Sequence, residues 1–293
     1  MPTLILALLL AVVLALLCTA VQGRVRKIFS RSRAAIWIVP FLLTAAFSAA
    51  ALAAGAWSVS LCFLMLGYTL APVVCTWLAR AKTAEQPGAL DFAAILLIWL
   101  PLEFAAGARL VPRAAQGYLH SVAYGIAILL GLGLFLGFRG FSGLKYNLPR
   151  RAQDAWLPAA GFALSAPVLI VLGMALAFIP APHWPVQRAG AMALAAPVIF
   201  VGTALPEEIL FRSLIQNLLM LRFGANWRTL LAASLIFGCA HLDNGPQPLP
   251  NWRYAIVATV AGVAYGAVFQ RASTVLSSSA LHMMVDWTKH YFF

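Results

Sequence analysis

Residues 190–222 read GAMALAAPVIFVGTALPEEILFRSLIQNLLMLR, one apolar run holding Pro197, Pro206 and a block of charge, Glu207, Glu208 and Arg212. A run this long and apolar reads as membrane-spanning. Inside a bilayer every backbone polar group must be bonded within the chain, which leaves helices and closed barrels. Further apolar runs recur near 3–22, 34–56, 58–79, 92–109, 121–138, 157–180, 229–245, 254–271 and 273–293. They are rich in Leu and Ala and continuous, without the alternation of a barrel strand. The expected fold is therefore all-α, a polytopic transmembrane bundle of about ten spans.

Composition agrees. The chain has 293 residues, of which 63% are hydrophobic and 10% charged, against about 25% charged in a soluble domain. The net charge of +12 comes mostly from loop arginines, which reads as cytoplasmic-face bias and contact with anionic lipid rather than nucleic acid. The basic loops at 24–33, 80–90 and 139–156 alternate with poorer ones, which puts the amino terminus outside. A break at Pro206 would let 190–222 cross twice instead of once. The four cysteines, Cys18, Cys62, Cys75 and Cys239, form no C-x-x-C pair and read as small buried side chains. The loop at 139–156 is the longest polar connection. It divides an amino-terminal bundle, 1–155, from a carboxy-terminal core, 156–293.

An ionisable group in a bilayer costs roughly 3 kcal/mol on insertion scales, so adjacent glutamates need a reason. Pro206 before two acids reads as a helix start, with Pro in the first turn and carboxylates at the positive end of the dipole. Neighbours on a helix point about 100° apart. Glu208 and Arg212 stand i, i+4 with the acid first and can pair. Glu207 has no partner on its own helix and must look to others, which makes it the candidate base. Downstream, Phe237 and His241 share a face, as do His282 and Asp286, a spacing that suits joint metal ligation or joint substrate contact. Gly262-x-x-x-Gly266 and Ser277–Ser279 read as small packing faces. Glu103 reads as a helix-end group, and Gly140-Phe141-Ser142-Gly143 as a turn in a basic loop.

The motifs E-E-x-x-x-R, F-x-x-x-H and H-x-x-x-D, in this order, resemble the CPBP family of intramembrane proteases, which includes the type II CAAX prenyl endopeptidases and the bacterial Abi proteins. The resemblance covers about residues 190–293, and Arg271 and the small residues before His282 share it. It implies an intramembrane endopeptidase with Glu207 as catalytic glutamate, Glu208 and Arg212 completing that motif, and His241 and His282 as its two histidines. The four groups Glu207, His241, His282 and Asp286 are expected to face one cavity. Asp286 stands where the prenyl endopeptidases often carry Asn. An ionised Asp is acceptor-only and would repel an oxyanion that Asn could hold. It would have to be protonated, orient His282, or bind a metal. The metal version uses His241, His282 and Asp286 as ligands of Zn2+ or another divalent ion, with Glu207 as base. Expected partners are a membrane-anchored protein or peptide substrate and the lipid bilayer, and the expected location is a bacterial cytoplasmic membrane. Two rival readings are a non-enzymatic scaffold or immunity protein, and a proton-coupled transporter with Glu207, His241 and Asp286 as relay.

Overall fold

The computed structural model describes residues 2–81, 85–103, 116–186, 188–245 and 248–293, and every regular element among them is helical. The chain divides into two compact units, Met1–Leu144 and Lys145–Phe293.

The first unit contains α1 (Pro2–Ala15), α2 (Thr19–Arg31), α3 (Ile38–Ala53), α4 (Val59–Leu78), α5 (Ala89–Glu103) and α6 (Gln116–Leu132), which runs on as a π turn over Gly133–Phe138. Ser58 caps α4, its hydroxyl accepting from Leu61 N at 3.2 Å. A buried, bidentate pair joins α5 to the end of α6: Arg139 Nε donates to Asp91 Oδ1 at 2.9 Å and Nη2 to Oδ2 at 3.2 Å. Glu103 accepts from Tyr124 OH at 3.0 Å, so this acid is held structurally. Gly140 and Gly143 both take positive φ, +65° and +73°, which makes the G-x-S-G stretch a turn.

The second unit contains α7 (Gln153–Ala175), α8 (Ala189–Phe223), α9 (Trp227–Cys239), α10 (Trp252–Arg271) and α11 (Val275–Phe292). Gly224, at φ +86°, ends α8 in a conformation that costs glycine little. Two residues later Asn226 caps α9, accepting from the amides of Arg228 and Thr229. Asn251 and Thr274 cap α10 and α11 in the same way. The loop before α7 is stitched to the corner between α10 and α11. Lys145 Nζ donates to the carbonyls of Phe269, Gln270 and Ala272 at 2.7, 3.0 and 2.9 Å. Asp154 accepts from the backbone and hydroxyl of Ser273.

Three expectations change. Six helices among the described residues are long and apolar enough to cross a membrane, or seven if a bent pair counts as one, not ten. The run at 3–22 breaks between α1 and α2, which meet at 91°. The run at 229–245 yields a helix of 13 residues, and polar groups along α11 dilute its apolarity. Second, α8 is one continuous helix of 35 residues, roughly 50 Å long. Pro206 neither starts it nor reverses it. Pro206 lacks an N–H, and π segments at Phe200–Ala204 and Ile209–Gln216 flank its turn. Wider turns of this kind absorb a missing donor where no water is available. Third, the cysteines are free thiols, Cys18 and Cys239 exposed and the other two half-buried.

Small residues set the packing. A side chain at Gly262 would press on Ser234 Cα at 3.3 Å, and one at Gly266 on Gln216 Oε1 at 2.5 Å, so this pair lets α10 approach α9 and α8. Gly238 on α9 is tighter still. A Cβ there would meet the Ala255 carbonyl at 2.6 Å and collide with Thr259. Gly238→Ala is therefore expected to destabilise the protein by about 1–3 kcal/mol, as overpacking does, despite the better helix propensity of Ala. A denaturant titration in detergent checks this, and an unchanged or raised midpoint would contradict the contact.

Candidate active site

Three helices bring the polar groups together. The amino-terminal half of α8 lies largely at the surface, whereas Ala204, Leu205, Glu208, Ile209 and Phe211–Leu218 are buried. The turn with Glu207 and Glu208 stands where α8 enters the core. Glu208 and Arg212 are both fully buried, and Arg212 Nε donates to Glu208 Oε2 at 3.3 Å. Arg212 Nη1 reaches Gln216 Oε1 at 3.3 Å, and Gln216 Nε2 donates to the Gly266 carbonyl at 3.1 Å. The guanidinium lies 5.0 Å from the Phe237 ring centroid. A buried charge needs such company.

His282, from α11, is the hub. Its Nδ1 lies 3.2 Å from Glu208 Oε1. Its Nε2 lies 3.4 Å from Asp286 Oδ2 and 3.9 Å from Glu207 Oε2. Each ring nitrogen thus faces a carboxylate, an arrangement that gives both N–H groups of a doubly protonated ring an acceptor. Tyr265 of α10 stacks on the ring at 4.5 Å and 21°, and Phe237 meets it edge-on at 5.8 Å. These contacts fix the ring plane. The i, i+4 pair His282 and Asp286 does share a face, and Glu207 finds its partner on another helix.

His241 follows the end of α9. Its Nδ1 lies 2.8 Å from the Phe237 carbonyl. A carbonyl only accepts, so Nδ1 carries the proton and Nε2 offers a lone pair. Phe237 and Tyr254 pack edge-on against the ring at 4.7 and 4.5 Å. His241, His282 and Asp286 line a cavity of about 80 Å³ whose other walls are mostly apolar side chains of α7, α10 and α11. One water needs roughly 10–15 Å³ of such space, so several waters or a short peptide segment fit. Glu207 is not among the lining residues; it adjoins the cavity through His282. The side chains of Glu207 and Asp286 keep 30% and 31% exposure against 5% for His282.

Among the described residues no three His, Cys, Asp or Glu side chains form a group suited to hold an ion. His282 Nε2 is directed at two carboxylates, and Nδ1 is engaged by Glu208. His241, His282 and Asp286 share a cavity without forming a cage.

Sequence reading missed Tyr254, Tyr265 and Lys289. The two tyrosines stand eleven residues apart, about three helical turns, a spacing that puts them on one face of α10. Lys289 lies seven residues after His282, two turns along the same face of α11.

Residues 189–288 match the family model described as type II CAAX prenyl endopeptidase Rce1-like. No curated protein and no solved structure matches the chain. The matched segment, about a third of the chain, spans Glu207, Glu208, Arg212, His241, His282 and Asp286, and it supports assignment of this segment to the CPBP family of CAAX-type proteases.

Proposed function

We propose that the protein hydrolyses a peptide bond in the tail or membrane-proximal segment of a membrane-anchored protein, with Glu207 as general base. The observation that supports this most is the clasp on His282. One imidazole meets Glu207, Glu208 and Asp286 beside a cavity large enough for water. In this reading a water at the His282 edge of the cavity, where Glu207 adjoins it, gives a proton to Glu207 while its oxygen attacks the scissile carbonyl, and the His241 Nε2 lone pair helps to orient it. His282 Nε2–H, which faces Asp286 in the resting site, shifts from it to donate to the oxyanion that develops. Glu207 then passes its proton to the leaving amine as the C–N bond breaks. One water is consumed, and a new carboxyl and a new amine result. Glu208, held by Arg212, fixes the orientation of His282 from behind. The apolar walls strengthen each of these electrostatic contacts by excluding bulk solvent.

Asp286 in this reading positions His282 and binds no metal. Asp286→Asn retains a carbonyl oxygen that accepts from Nε2–H, so its activity should stay within about tenfold of wild type, the scale of one hydrogen bond, and chelator should leave both proteins active. The check is cleavage of a lipid-anchored peptide library in proteoliposomes with and without EDTA, with product termini read by mass spectrometry. Activity that chelator abolishes and Zn2+ restores, and that Asp286→Asn lacks, would replace this mechanism with a metal-dependent one. No cleavage of any member would favour the scaffold or transporter readings.

A further inference from the structure

Lys289 is a charged residue of the cavity to which the mechanism gives no work. It lines the same space as His241, His282 and Asp286. Its ammonium lies beside two aromatic rings that pack on each other at 4.8 Å, 4.6 Å from the centroid of Phe178 and 4.5 Å from that of Tyr254. The residue is exposed, and among the described residues no carboxylate stands within 4 Å of it. The rings help to hold the charge in place, and Asp286, three residues back on the same helix, interacts with it electrostatically without an ion pair within 4 Å. Tyr254 also packs against His241, so a single ring separates the cation from a proposed catalytic side chain.

Position excludes direct help at the oxyanion. Seven residues along α11 correspond to about 10 Å of rise from His282, with Asp286 between them. An ammonium at that distance from the reacting carbonyl is out of hydrogen-bond reach, but it is a few residues away along an extended peptide. The favourable place of a cation in the last turn of a helix accounts for a lysine near this position. It does not account for the two aromatic contacts or for the cavity-facing direction.

We propose that Lys289 is a specificity residue that binds a carboxylate of the peptide substrate a few residues from the scissile bond. This rests on the hydrolytic reading above. An ammonium held at a largely apolar chamber, with no ion pair within 4 Å, offers a charge-assisted donor that selects a negative group. That group has two sources, a free chain terminus or an acidic side chain, and both present the same chemistry to the lysine.

The test separates recognition from chemistry. The probes are fluorescent lipid-anchored peptide libraries of random sequence in three forms: carboxy-terminal acid, carboxy-terminal amide, and amide with one Asp near the end. Binding is measured to Glu207→Gln, which removes the base, and to Glu207→Gln combined with Lys289→Met or Lys289→Arg. Cleavage is measured with Glu207 intact. Binding of the acid form, the Asp form or both should exceed that of the plain amide about tenfold, the order of a charge-assisted hydrogen bond. Lys289→Met should erase the preference, Lys289→Arg should keep most of it, and in cleavage the loss should fall on KM. Preference for the acid form alone identifies the terminus, and preference for the Asp form identifies a side chain. An equal preference in Lys289→Met, or none in the Lys289 protein, overturns the proposal. A Lys289-dependent binding preference without cleavage upholds it and overturns the peptidase reading instead.

Discussion

Glu207→Gln should abolish peptide hydrolysis in a protein that remains folded. Gln keeps the length of the side chain and its hydrogen-bonding oxygen but cannot take a proton from water. General-base help is worth about 10²–10⁴-fold, and kcat should fall by that amount. Stability should change little, because this side chain is 30% exposed and Gln keeps its length and hydrogen-bonding oxygen. The measurements are kcat on the anchored peptide library and a thermal melt in the same detergent. A variant with more than a tenth of wild-type activity would remove Glu207 from the base position. A variant that fails to fold would show that the site needs the charge for assembly.

Arg212→Met should have the opposite signature, a large loss of stability with activity lost as a consequence. The guanidinium and the Glu208 carboxylate are fully buried, and removing one partner of such a pair costs about 3–5 kcal/mol. The lost packing on Phe237 and the orphaned Gln216 Oε1 act in the same direction. A denaturant titration measures the effect, and a loss below about 1 kcal/mol, the scale of an exposed pair, would show that the pair is not buried as described. Spacing alone suggests that reversing both charges would rescue the fold. The structure argues otherwise, because Glu208 serves two partners. With Arg at 208 and Glu at 212, His282 Nδ1 would face a guanidinium instead of an acceptor. The double reversal should therefore stay as unstable as the single ones.

The sequence made the local chemistry legible and the three-dimensional pairings much less so. The i, i+4 relation of Glu208 to Arg212 and of His282 to Asp286 follows from helical periodicity, and both pairs meet. That Glu207 must look beyond its own helix follows from the same geometry. Its partner does not, because nothing along the chain says that position 282 stands opposite position 208, 74 residues away. The π segments around Pro206 were hidden for a related reason. Proline and two acids have the composition of a helix start, and only the surrounding apolar packing dictates that the chain bulges instead of breaking. The span count overshot because hydropathy measures the apolar length of a run and is blind to a turn within it, as between α1 and α2. The metal set rests on His, His and Asp being ligand types. Ligation also needs lone pairs aimed at one point, which spacing along the chain does not encode, and in the structure each His282 nitrogen faces a carboxylate.

The clasp on His282 has a consequence for how the protein is made. A membrane protein emerges from the ribosome in order, and α8 is synthesised well before α11. Until then Glu207, Glu208 and Arg212 enter the bilayer as two acids with one base, without the imidazole that bonds Glu208 in the finished fold. At roughly 3 kcal/mol for each charge near mid-bilayer, this half-built site discourages α8 from settling alone among lipid tails. The nascent helix would be held near the interface, or beside its insertion partner, until the histidine arrives. Completion of the active site and completion of the bundle are then one event, so a chain stalled before position 282 is marked as unfinished by its own unmatched acids and is a natural target for quality control.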